Sequence, residues 1–523
     1  MKKTGNFLSA TALGGISAVA ALLVGLSGAQ AQAPAPTAPL SGAGSFPGSF
    51  IVPGTNTSLH VGGIIQIDTT YDFNTTGNGA SNGAQQNESP GNISLTGPLA
   101  QASAIAGANA HDSHGTFRIN PNSTHPFFET RTPTPYGELK TFWEIDFAGT
   151  YATSNAAPTS GNATIGTNCC SNTSTPRLKQ AYGTLGPWLI GMTNSNFADL
   201  DALPDTGDGF VEAGAFMGAG TVKEPQFRYT YLLPDGISLA GSIEQAQSAG
   251  IFASTNKGAG AVSWNSFDAS SFSSRAPAFT AHARIDQPWG HANFSVAVME
   301  ERFQNQVSGA GVTPLNASAV GVGAPAPAVN DPFLPTTVAN ATVTGANIIA
   351  PGSHFERWGY QLMQSGHFNT FGKDKVSWML GYGQGAAQYS WPLSAPDLGG
   401  QFEEGIVCSG TLGAAVAGSG GSPYACHSPT VGGVNVGYSH WWTDEWRSGV
   451  AYGYDHVSNP ERQWALANQG GLEKQHQSAV VNIAWTPVAA AQFALEYRWY
   501  SRQVQSGSHG THQMVDFQTL WKF

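Results

Sequence analysis

The feature that most constrains the fold is an alternation, with a period of two, of large apolar residues and small or polar residues. Residues 492–500 carry Phe, Leu, Tyr and Trp at the odd positions, with Gln, Glu and Arg among the even ones. The same split recurs in residues 226–231, 279–285, 434–439 and 446–455. Successive side chains of a β-strand point to opposite faces. The pattern therefore predicts many strands, each with one apolar and one polar face.

Composition decides where such strands can lie. Only 11% of the 523 residues are charged, against about 25% in soluble domains. The positions opposite the aromatics hold mostly Gly, Ser, Ala and single charges, which suits a water-filled lumen better than the surface of a soluble sandwich. Disordered chains are poor in aromatics, and no run past residue 32 approaches the ~20 apolar residues of a spanning helix. We therefore predict an all-β fold, a transmembrane antiparallel β-barrel.

The breaks in the pattern give the number of strands. Seven short breaks carry turn residues, at 132–137, 185–187, 234–236, 288–290, 371–374, 443–445 and 486–487. They alternate with long Gly-, Ala-, Ser- and Asn-rich segments at 74–115, 151–175, 197–222, 246–276, 304–353, 386–431 and 457–476. Barrels with short periplasmic turns and long outer loops have this arrangement. Seven hairpins, a first strand at about 58–73 and a last strand at 512–523 predict 16 strands.

The first residues predict export. Lys2 and Lys3 precede an apolar stretch at 10–27, and small residues follow at 29–33. This is typical of a signal peptide, which we place at residues 1–31, or 1–33 if cleavage falls at the second small-residue site. A membrane anchor, the alternative, would need a longer apolar run. We expect residues 34–48 to be a flexible segment and 49–523 to form the barrel. The chain is acidic, with 33 Asp and Glu against 22 Lys and Arg, and has no basic patch, so nucleic-acid binding is excluded.

Four cysteines are present, the adjacent Cys169 and Cys170 and the separated Cys408 and Cys426. An exported chain meets oxidising conditions, so we expect a disulfide between Cys408 and Cys426. Whether Cys169 and Cys170 bond to each other stays open, because adjacent cysteines fit disulfide geometry only with strain. A metal site, the alternative, lacks His or Cys at ligand spacing beside them.

Trp and Tyr cluster near predicted strand ends, as at Tyr438, Trp446, Tyr497 and Trp499. This placement is typical of aromatic girdles at membrane interfaces, and their surroundings would be outer-membrane lipid. The chain ends in an alternating strand with Phe523 as its last residue. Such an end resembles the signature by which the barrel-assembly machinery recognises outer-membrane barrels.

Several segments resemble the DcaP-like family of outer-membrane porins. They are residues 49–58 (SFIVPGTNTS), 61–63 (VGG), 129–137 (ETRTPTPYG), 140–141 (KT), 144–147 (EIDF), 177–183 (RLKQAYG), 203–205 (LPD) and 224–230 (EPQFRYT). The match covers roughly residues 49–245. It implies a sixteen-stranded homotrimeric porin, integral to the outer membrane of a Gram-negative bacterium, that passes small hydrophilic solutes and favours anions such as small carboxylates. Many members carry an N-terminal coiled coil, whereas residues 34–48 have no heptads.

The segment at about 197–222 differs from the other long segments in its charge. The resemblance to porins implies that it folds into the lumen and narrows it. Its carboxylates would then create a transverse field opposite basic wall residues. The alternatives are a solvated surface loop and a calcium site around residues 205–209, which lack the full EF-hand spacing. The acidic residues are Asp199, Asp201, Asp205, Asp208 and Glu212.

Strand parity also assigns basic residues to the inner face, since an Arg or Lys facing lipid at mid-height costs roughly 2–4 kcal/mol. We expect the acidic segment to face Arg177, Lys179 and Arg228 across the narrowest section. A structural role is the alternative, with these cations paired to wall acids such as Glu144 and Asp146. The predicted wall cations are Arg131, Arg177, Lys179, Arg228, Arg284, Arg357 and Arg498.

Enzymatic activity is not predicted, because the sequence has neither a nucleophile elbow nor a zinc-protease His-Glu-x-x-His motif. Chemistry at the barrel rim, at His111, His114 or His125, is the alternative. No cofactor is expected beyond the calcium considered above. The predicted function is passive diffusion of small solutes. The rival is a structural or adhesive barrel whose lumen is plugged.

Overall fold

A computed structural model of the chain describes most of the alternating segments and few residues of the long segments between them. The described residues are 42–74, 114–149, 175–204, 223–246, 250–253, 264–265, 274–304, 354–390, 406–409, 425–459, 473–505, 507 and 509–523. The predicted signal peptide, Cys169 and Cys170 lie outside them. No helix in these ranges is long and apolar enough to cross a membrane.

The described ranges contain 22 strands. In chain order they are β1 (Phe50–Ile51), β2 (Ser58–Asn74), β3 (His114–Asn120), β4 (His125–Thr134), β5 (Gly137–Gly149), β6 (Thr175–Leu185), β7 (Trp188–Asn194), β8 (Lys223–Leu232), β9 (Ile237–Glu244), β10 (Gly250–Ala253), β11 (Trp264–Asn265), β12 (Ala278–Gln287), β13 (Gly290–Gln304), β14 (His354–Asn369), β15 (Lys375–Gln384), β16 (Ile406–Ser409), β17 (Ala425–His427), β18 (Thr430–Trp441), β19 (Trp446–Ser458), β20 (Glu473–Val488), β21 (Ala491–Val504) and β22 (His509–Lys522).

Eighteen of these strands form one antiparallel sheet that closes on itself. The last strand, β22, pairs with β2, with Lys522 opposite Ile64. Strands β3 and β4 lie one after the other along β2 and count as one strand of the barrel, while β1 is only a two-residue addition to β2. Subtracting one for each leaves sixteen, so the predicted fold and number of strands are confirmed.

The two faces of the barrel differ as the alternation predicts. On β19, Val450 and Tyr452 are exposed on the outer face, whereas Arg447 and Asp455 are buried on the inner face. Large apolar side chains exposed on one surface and polar ones on the other are typical of a barrel with lipid outside and water inside. The outer face shows, among others, Phe117, Ile190, Phe227, Phe294, Trp358, Leu380, Val481 and Phe517.

Aromatic side chains follow the rim at the end with short turns. Trp446 stacks on Trp485 at 5.7 Å, Trp485 on Phe493 at 5.6 Å, and Phe493 meets Trp521 edge-on at 5.5 Å. This row crosses the four strands β19 to β22. Interfacial girdles have this form.

Six of the seven predicted short turns separate consecutive strands of the barrel. The turn predicted at 486–487 is wrong in its position, because these residues form an irregularity in β20 between Trp485 and Val488, and the chain turns into β21 after Val488. Gly290, at the start of β13, shows why glycine is required there. Its φ is 135°, and an added Cβ would lie 1.9 Å from the carbonyl oxygen of His367. Only a residue without a side chain fits this close approach of two strands.

The long segments 246–276 and 386–431 contain more regular structure than their composition suggests. Strands β10, β11, β16 and β17 form a second, four-stranded sheet. In it Cys408 of β16 lies directly opposite Cys426 of β17. Opposite residues of antiparallel strands have Cα atoms about 4.5–5.5 Å apart, within the range that a disulfide spans. The register supports the predicted disulfide, which stays a prediction.

The predicted flexible segment 34–48 ends in an ordered turn. Gly44 donates its N–H to the Ser49 carbonyl at 2.8 Å, and the Ser45 N–H donates to the Ser58 hydroxyl at 2.9 Å. The Arg131 guanidinium lies 4.3 Å from the centre of the Phe46 ring. Residues 42–48 therefore pack on β2 through the Ser58 hydroxyl and on β4 through the Arg131 guanidinium, contacts that composition does not reveal.

Candidate functional site

The chain leaves β7 and turns into the barrel, so that residues 195–204, the inner segment, lie against inward-facing side chains of other strands. Glu244, at the end of β9, anchors its beginning. The Ser195 hydroxyl donates to the Glu244 carboxylate at 2.7 Å, and the Asn196 N–H donates at 2.8 Å. Glu244 also accepts from three wall or loop hydroxyls, those of Ser242, Thr280 and Tyr389.

Asp199 fixes the middle of the inner segment to three strands. Its carboxylate contacts Arg284 of β12 at 3.3 Å, His291 of β13 at 2.8 Å and the Ser365 hydroxyl of β14 at 2.6 Å. Burial alone would raise the pKa of Asp199, but the hydrogen bond from His291 and the nearby charges outweigh it and lower the pKa to about 2. The carboxylate is therefore charged at neutral pH and holds the segment on the wall.

A second histidine extends this contact. The Nδ1 atoms of His291 and His367 lie 2.7 Å apart. Because a carboxylate only accepts, His291 donates from Nε2 to Asp199, and one proton is shared between the two Nδ1 atoms. The hydrogen bond between the rings joins β13 to β14 beside the Asp199 contact.

Apolar contacts complete the attachment. Phe197 and Leu203 of the inner segment are buried with Met299, Met363 and Tyr389, and Phe197 meets Tyr389 edge-on at 5.6 Å. At the far end, an added Cβ on Gly437 of β18 would lie 2.7 Å from Pro204. We call the wall formed by β9, β12, β13, β14, β15 and β18 the covered wall, because the inner segment packs on it.

The wall from β4 to β6, which we call the open wall, carries four cations over three acids. Arg177 binds Asp146 with two contacts of 3.0 and 2.7 Å, and Lys179 lies 3.3 Å from Glu144. The Arg177 side chain is 40% exposed and Asp146 3%, while Lys179 is 14% exposed and Glu144 2%. In both pairs the cation is the partner that reaches water.

Nearer the short turn, Glu129 binds two cations, Arg131 at 2.7 Å and Lys140 at 3.2 Å. Arg131 is 21% exposed and Glu129 10%. Glu138, next to the turn and 3.6 Å from Arg131, is an exception, because it is more exposed than the cation. Lys140 is 8% exposed against 10% for Glu129, so this cation does not reach water further than its acid. On the open wall, Arg177, Lys179 and Arg131 are the cations that are more exposed than the acid each binds most closely.

A β-bulge shapes this surface. Leu178 pairs with Ile145 and Gln180 with Glu144, which leaves Lys179 as an extra residue in β6. Lys179 and Gln180 therefore both reach Glu144, at 3.3 and 2.6 Å. A strictly alternating strand would turn one of them outward.

The covered wall has the opposite polarity. Arg284 contacts Asp201 at 2.6 Å and Asp286 at 2.7 Å, and both acids are more exposed than the arginine. Strand β12 is five strands along the sheet from β5. The exposed carboxylates around Arg284 and the exposed cations of the open wall therefore lie on different parts of the barrel.

Comparison with known proteins assigns the chain to a family. Residues 44–519 match the family model described as the Porin subfamily. The chain belongs to the Porin subfamily. No curated protein matches this porin. The fold-level resemblance to DcaP-like porins is confirmed by the outer membrane channel DcaP of Acinetobacter baumannii, which shares 19% identity over 89% of this chain and 97% of its own, with a TM-score of 0.56. An anion-selective porin from Comamonas acidovorans shares 7% identity over 89% and 100%, with a TM-score of 0.46.

The protein is therefore a porin, an integral outer-membrane channel of a Gram-negative bacterium. Of the acids predicted to line its constriction, Asp199 and Asp201 contact Arg284, whereas Arg177 and Lys179 bind the wall acids Asp146 and Glu144. Asp205, Asp208 and Glu212 lie outside the described residues, as does the calcium possibility at 205–209. Within the described ranges, no cluster of three or more His, Cys, Asp or Glu could hold a metal ion.

The other predicted cations are also on the inner face of the porin. Arg228 donates to the Asn194 carbonyl at 2.6 Å and to Gln226 at 2.9 Å. Arg357 donates to Gln384 at 2.6 Å. Arg498 is buried against Glu496 and Asp516, which matches the structural alternative.

His125 belongs to the wall, with Nδ1 2.6 Å from the Ser123 carbonyl and Nε2 3.6 Å from Glu144. His111 lies outside the described residues, and His114 begins β3. Sequence reasoning did not find the roles of Glu244, His291, His367 and Ser365. An acid as the last residue of a strand, just before a long segment, was the available signal for Glu244.

Proposed function

We propose that this porin passes small hydrophilic solutes by diffusion and favours anions such as small carboxylates. One observation carries the proposal. On the open wall Arg177, Lys179 and Arg131 are each more exposed than the carboxylate that each binds most closely. A passing solute would meet the cations before the buried acids.

The buried acids have a clear part in this arrangement. Each acid holds a long basic side chain in one orientation, so the cation is oriented toward the lumen before a solute arrives. Rings or rows of fixed charge select ions at close quarters, and a charge within about 8 Å of a passing ion is only partly screened at physiological ionic strength. The exposed Asp201 and Asp286 on the covered wall would add a transverse field that orients dipolar solutes. In this proposal the segment at about 197–222 narrows the lumen.

We also propose a homotrimer. The Thr130 and Thr141 hydroxyls hydrogen-bond to each other at 2.6 Å on the outer face of β4 and β5, where polar side chains suit contact with protein better than contact with lipid. Phe523 closes the seam of the barrel through two backbone hydrogen bonds with Gly63. Its strand would present the terminal aromatic residue to the barrel-assembly machinery, after removal of residues 1–31 as a signal peptide.

The test is single-channel recording in a planar bilayer under a KCl gradient. We expect a reversal potential of the sign for anion preference and steps that close in threes. The triple variant Arg131→Gln, Arg177→Gln, Lys179→Gln should shift the permeability ratio toward cations by about fivefold or more. The single variant Arg177→Gln should shift the ratio in the same direction by a smaller factor, and Lys373→Gln is its matched control, since it also removes one positive charge but from an exposed turn.

A cation-selective wild type, or a triple variant with unchanged selectivity, would contradict the anion preference. Single closures in place of threes would contradict the trimer. A correctly folded barrel that passes no current would favour the rival reading, an adhesive barrel with a plugged lumen.

A further inference from the structure

Five rings on the inner face form a continuous row beside the cations of the open wall. Phe127 stacks on Phe142 with centroids 5.5 Å apart and an interplanar angle of 26°, and Phe142 meets Tyr182 at 5.5 Å and 33°. His60 meets Phe127 edge-on at 5.2 Å, and Phe46 lies 6.1 Å from His60. We call these five residues the lumen aromatic row.

The row is interleaved with the charged pairs rather than separated from them. In the register of β4 and β5, Phe127 is opposite Glu144, and Glu129 is opposite Phe142. The Lys140 ammonium lies 5.8 Å from the centre of the Phe142 ring, and the Arg131 guanidinium lies 4.3 Å from that of Phe46. A carboxylate bound to either cation would therefore be next to aromatic carbon.

The tilt of the rings determines what they offer to a solute. Phe127, Phe142 and Tyr182 are nearly parallel and side by side, so each covers part of its neighbour's face. Phe127 and Phe142 are only half-buried, whereas Tyr182 is buried behind them. Aromatic edges carry the positive part of the ring quadrupole and attract the negative face of another ring in an edge-to-face contact.

We propose that the lumen aromatic row, together with Arg131 and Lys140, is a binding site for carboxylates that carry an aromatic ring. The solute ring lies flat across the edges of the half-buried Phe127 and Phe142, and its carboxylate pairs with Arg131, the more exposed of the two cations. Tyr182 supports the row from behind, and the buried Lys140 adds positive charge beside it. The inference rests on the proposed anion preference, because the carboxylate needs the basic wall, and it adds a preference among anions of equal charge.

The experiment compares benzoate with cyclohexanecarboxylate, which has the same charge and a similar size but no π face. Each is added to the full-length protein in a planar bilayer, and the concentration that halves the chloride current is measured. An edge-to-face contact is worth roughly a threefold to tenfold change in affinity. Benzoate should therefore block at about a fivefold lower concentration than cyclohexanecarboxylate.

Phe142→Leu keeps an apolar side chain at the centre of the row and removes the quadrupole. We expect this variant to raise the half-blocking concentration of benzoate to that of cyclohexanecarboxylate. The half-blocking concentration of cyclohexanecarboxylate itself should stay within twofold of its wild-type value. Phe294→Leu, on the outer face of β13, is the matched control and should block as wild type does. Phe127→Leu makes the same test if the Phe142 variant does not fold.

The outcomes separate this inference from the proposed function. Equal half-blocking concentrations of the two acids in an anion-selective wild type would overturn the aromatic site and leave the anion preference standing. A cation-selective reversal potential would instead overturn the basic wall on which both depend. An unchanged benzoate block in the folded Phe142 and Phe127 variants would also overturn the site.

Discussion

The two sides of the lumen use the same residue types in opposite ways. On the open wall, buried acids hold exposed cations, as Asp146 holds Arg177. On the covered wall, Arg284 is less exposed than Asp201 and Asp286, and the buried Asp199 fixes the inner segment.

The difference shows that the role of an ion pair in a channel depends on which partner reaches water. The buried partner is shielded by its counter-charge and acts on the geometry of the wall. The exposed partner keeps part of its field in the lumen, where the solute passes. The exposed cations of the open wall can therefore interact with solutes, whereas the ion pairs of the covered wall hold the inner segment in place.

The largest effect on stability is expected at Glu244, the residue of the covered wall that accepts the most hydrogen bonds among those described above. Glu244→Gln keeps the shape of the side chain but replaces one of its two carboxylate oxygens with an NH₂ group. Five hydrogen-bond donors converge on this side chain, so the new donor would face some of them. We expect a loss of about 3 kcal/mol in the free energy of unfolding, measured by urea unfolding of refolded protein in liposomes. Glu138→Gln, beside a short turn, is the control and should cost at most about 0.5 kcal/mol. Equal effects would mean that the carboxylate of Glu244 is not an anchor.

A smaller effect is expected at the middle of the inner segment. Asp199→Asn weakens the contacts with Arg284 and His291 while the apolar packing of Phe197 and Leu203 remains. We expect about 2 kcal/mol of destabilisation and a noisier open channel, because the segment is held less firmly. Asp201→Asn, at a more exposed carboxylate of the same segment, should give less than half of both effects. The reverse order would contradict the assignment of Asp199 as the anchor.

The pH dependence follows from the same carboxylate. The pKa of Asp199 is about 2 in the folded protein, below the usual value of about 3.9. Its contribution to stability is therefore fully present above about pH 4 and is lost as the pH falls through 2. Urea unfolding of wild type and Asp199→Asn should differ by a constant amount between pH 7 and 5, and the difference should shrink from pH 4 to 2. A difference that shrinks already between pH 7 and 5 would show that a group other than Asp199 controls the anchor.

The alternation and the turn residues predict the barrel because both act locally. Side-chain direction along a strand has a period of two, and Pro-Asp-Gly at 234–236 favours a turn by its own backbone preferences. The sixteen strands and six of the seven short turns therefore follow from residues that are neighbours in the chain. Thr486-Pro487 is the exception, because pairing with β21 continues past it to Val488. The ordered turn at residues 42–48 and the four-stranded sheet of the long segments depend on distant partners, and composition did not predict them.

The site is predictable only in part for the same reason. Parity places both Arg177 and Arg284 on the inner face. Their neighbours in the chain do not indicate that Arg177 is more exposed than its acid, Asp146, or that Arg284 is less exposed than Asp201. That difference arises because the inner segment packs on β12 to β14, five and more strands away from β5. The bulge at Lys179 is a second case, since one extra residue changes which side chains share a face.

The smallest expected effect is on ion selectivity and concerns the buried acid Asp146 of the open wall. Asp146→Asn removes the negative charge beneath Arg177 and keeps a hydrogen-bond acceptor within reach, so the field of the exposed guanidinium is less compensated. Anion preference, read from the reversal potential, should rise by up to about twofold, since a partly screened charge at a wet surface contributes about 0.5 kcal/mol or less. Asp516→Asn, which removes a buried carboxylate from beside the buried Arg498, is the control and should change selectivity less, because neither partner there reaches water. If Asp146→Asn lowered the anion preference instead, Asp146 would matter more for holding Arg177 in place than for cancelling its charge. The main role of the buried acids of the open wall would then be to orient the cations.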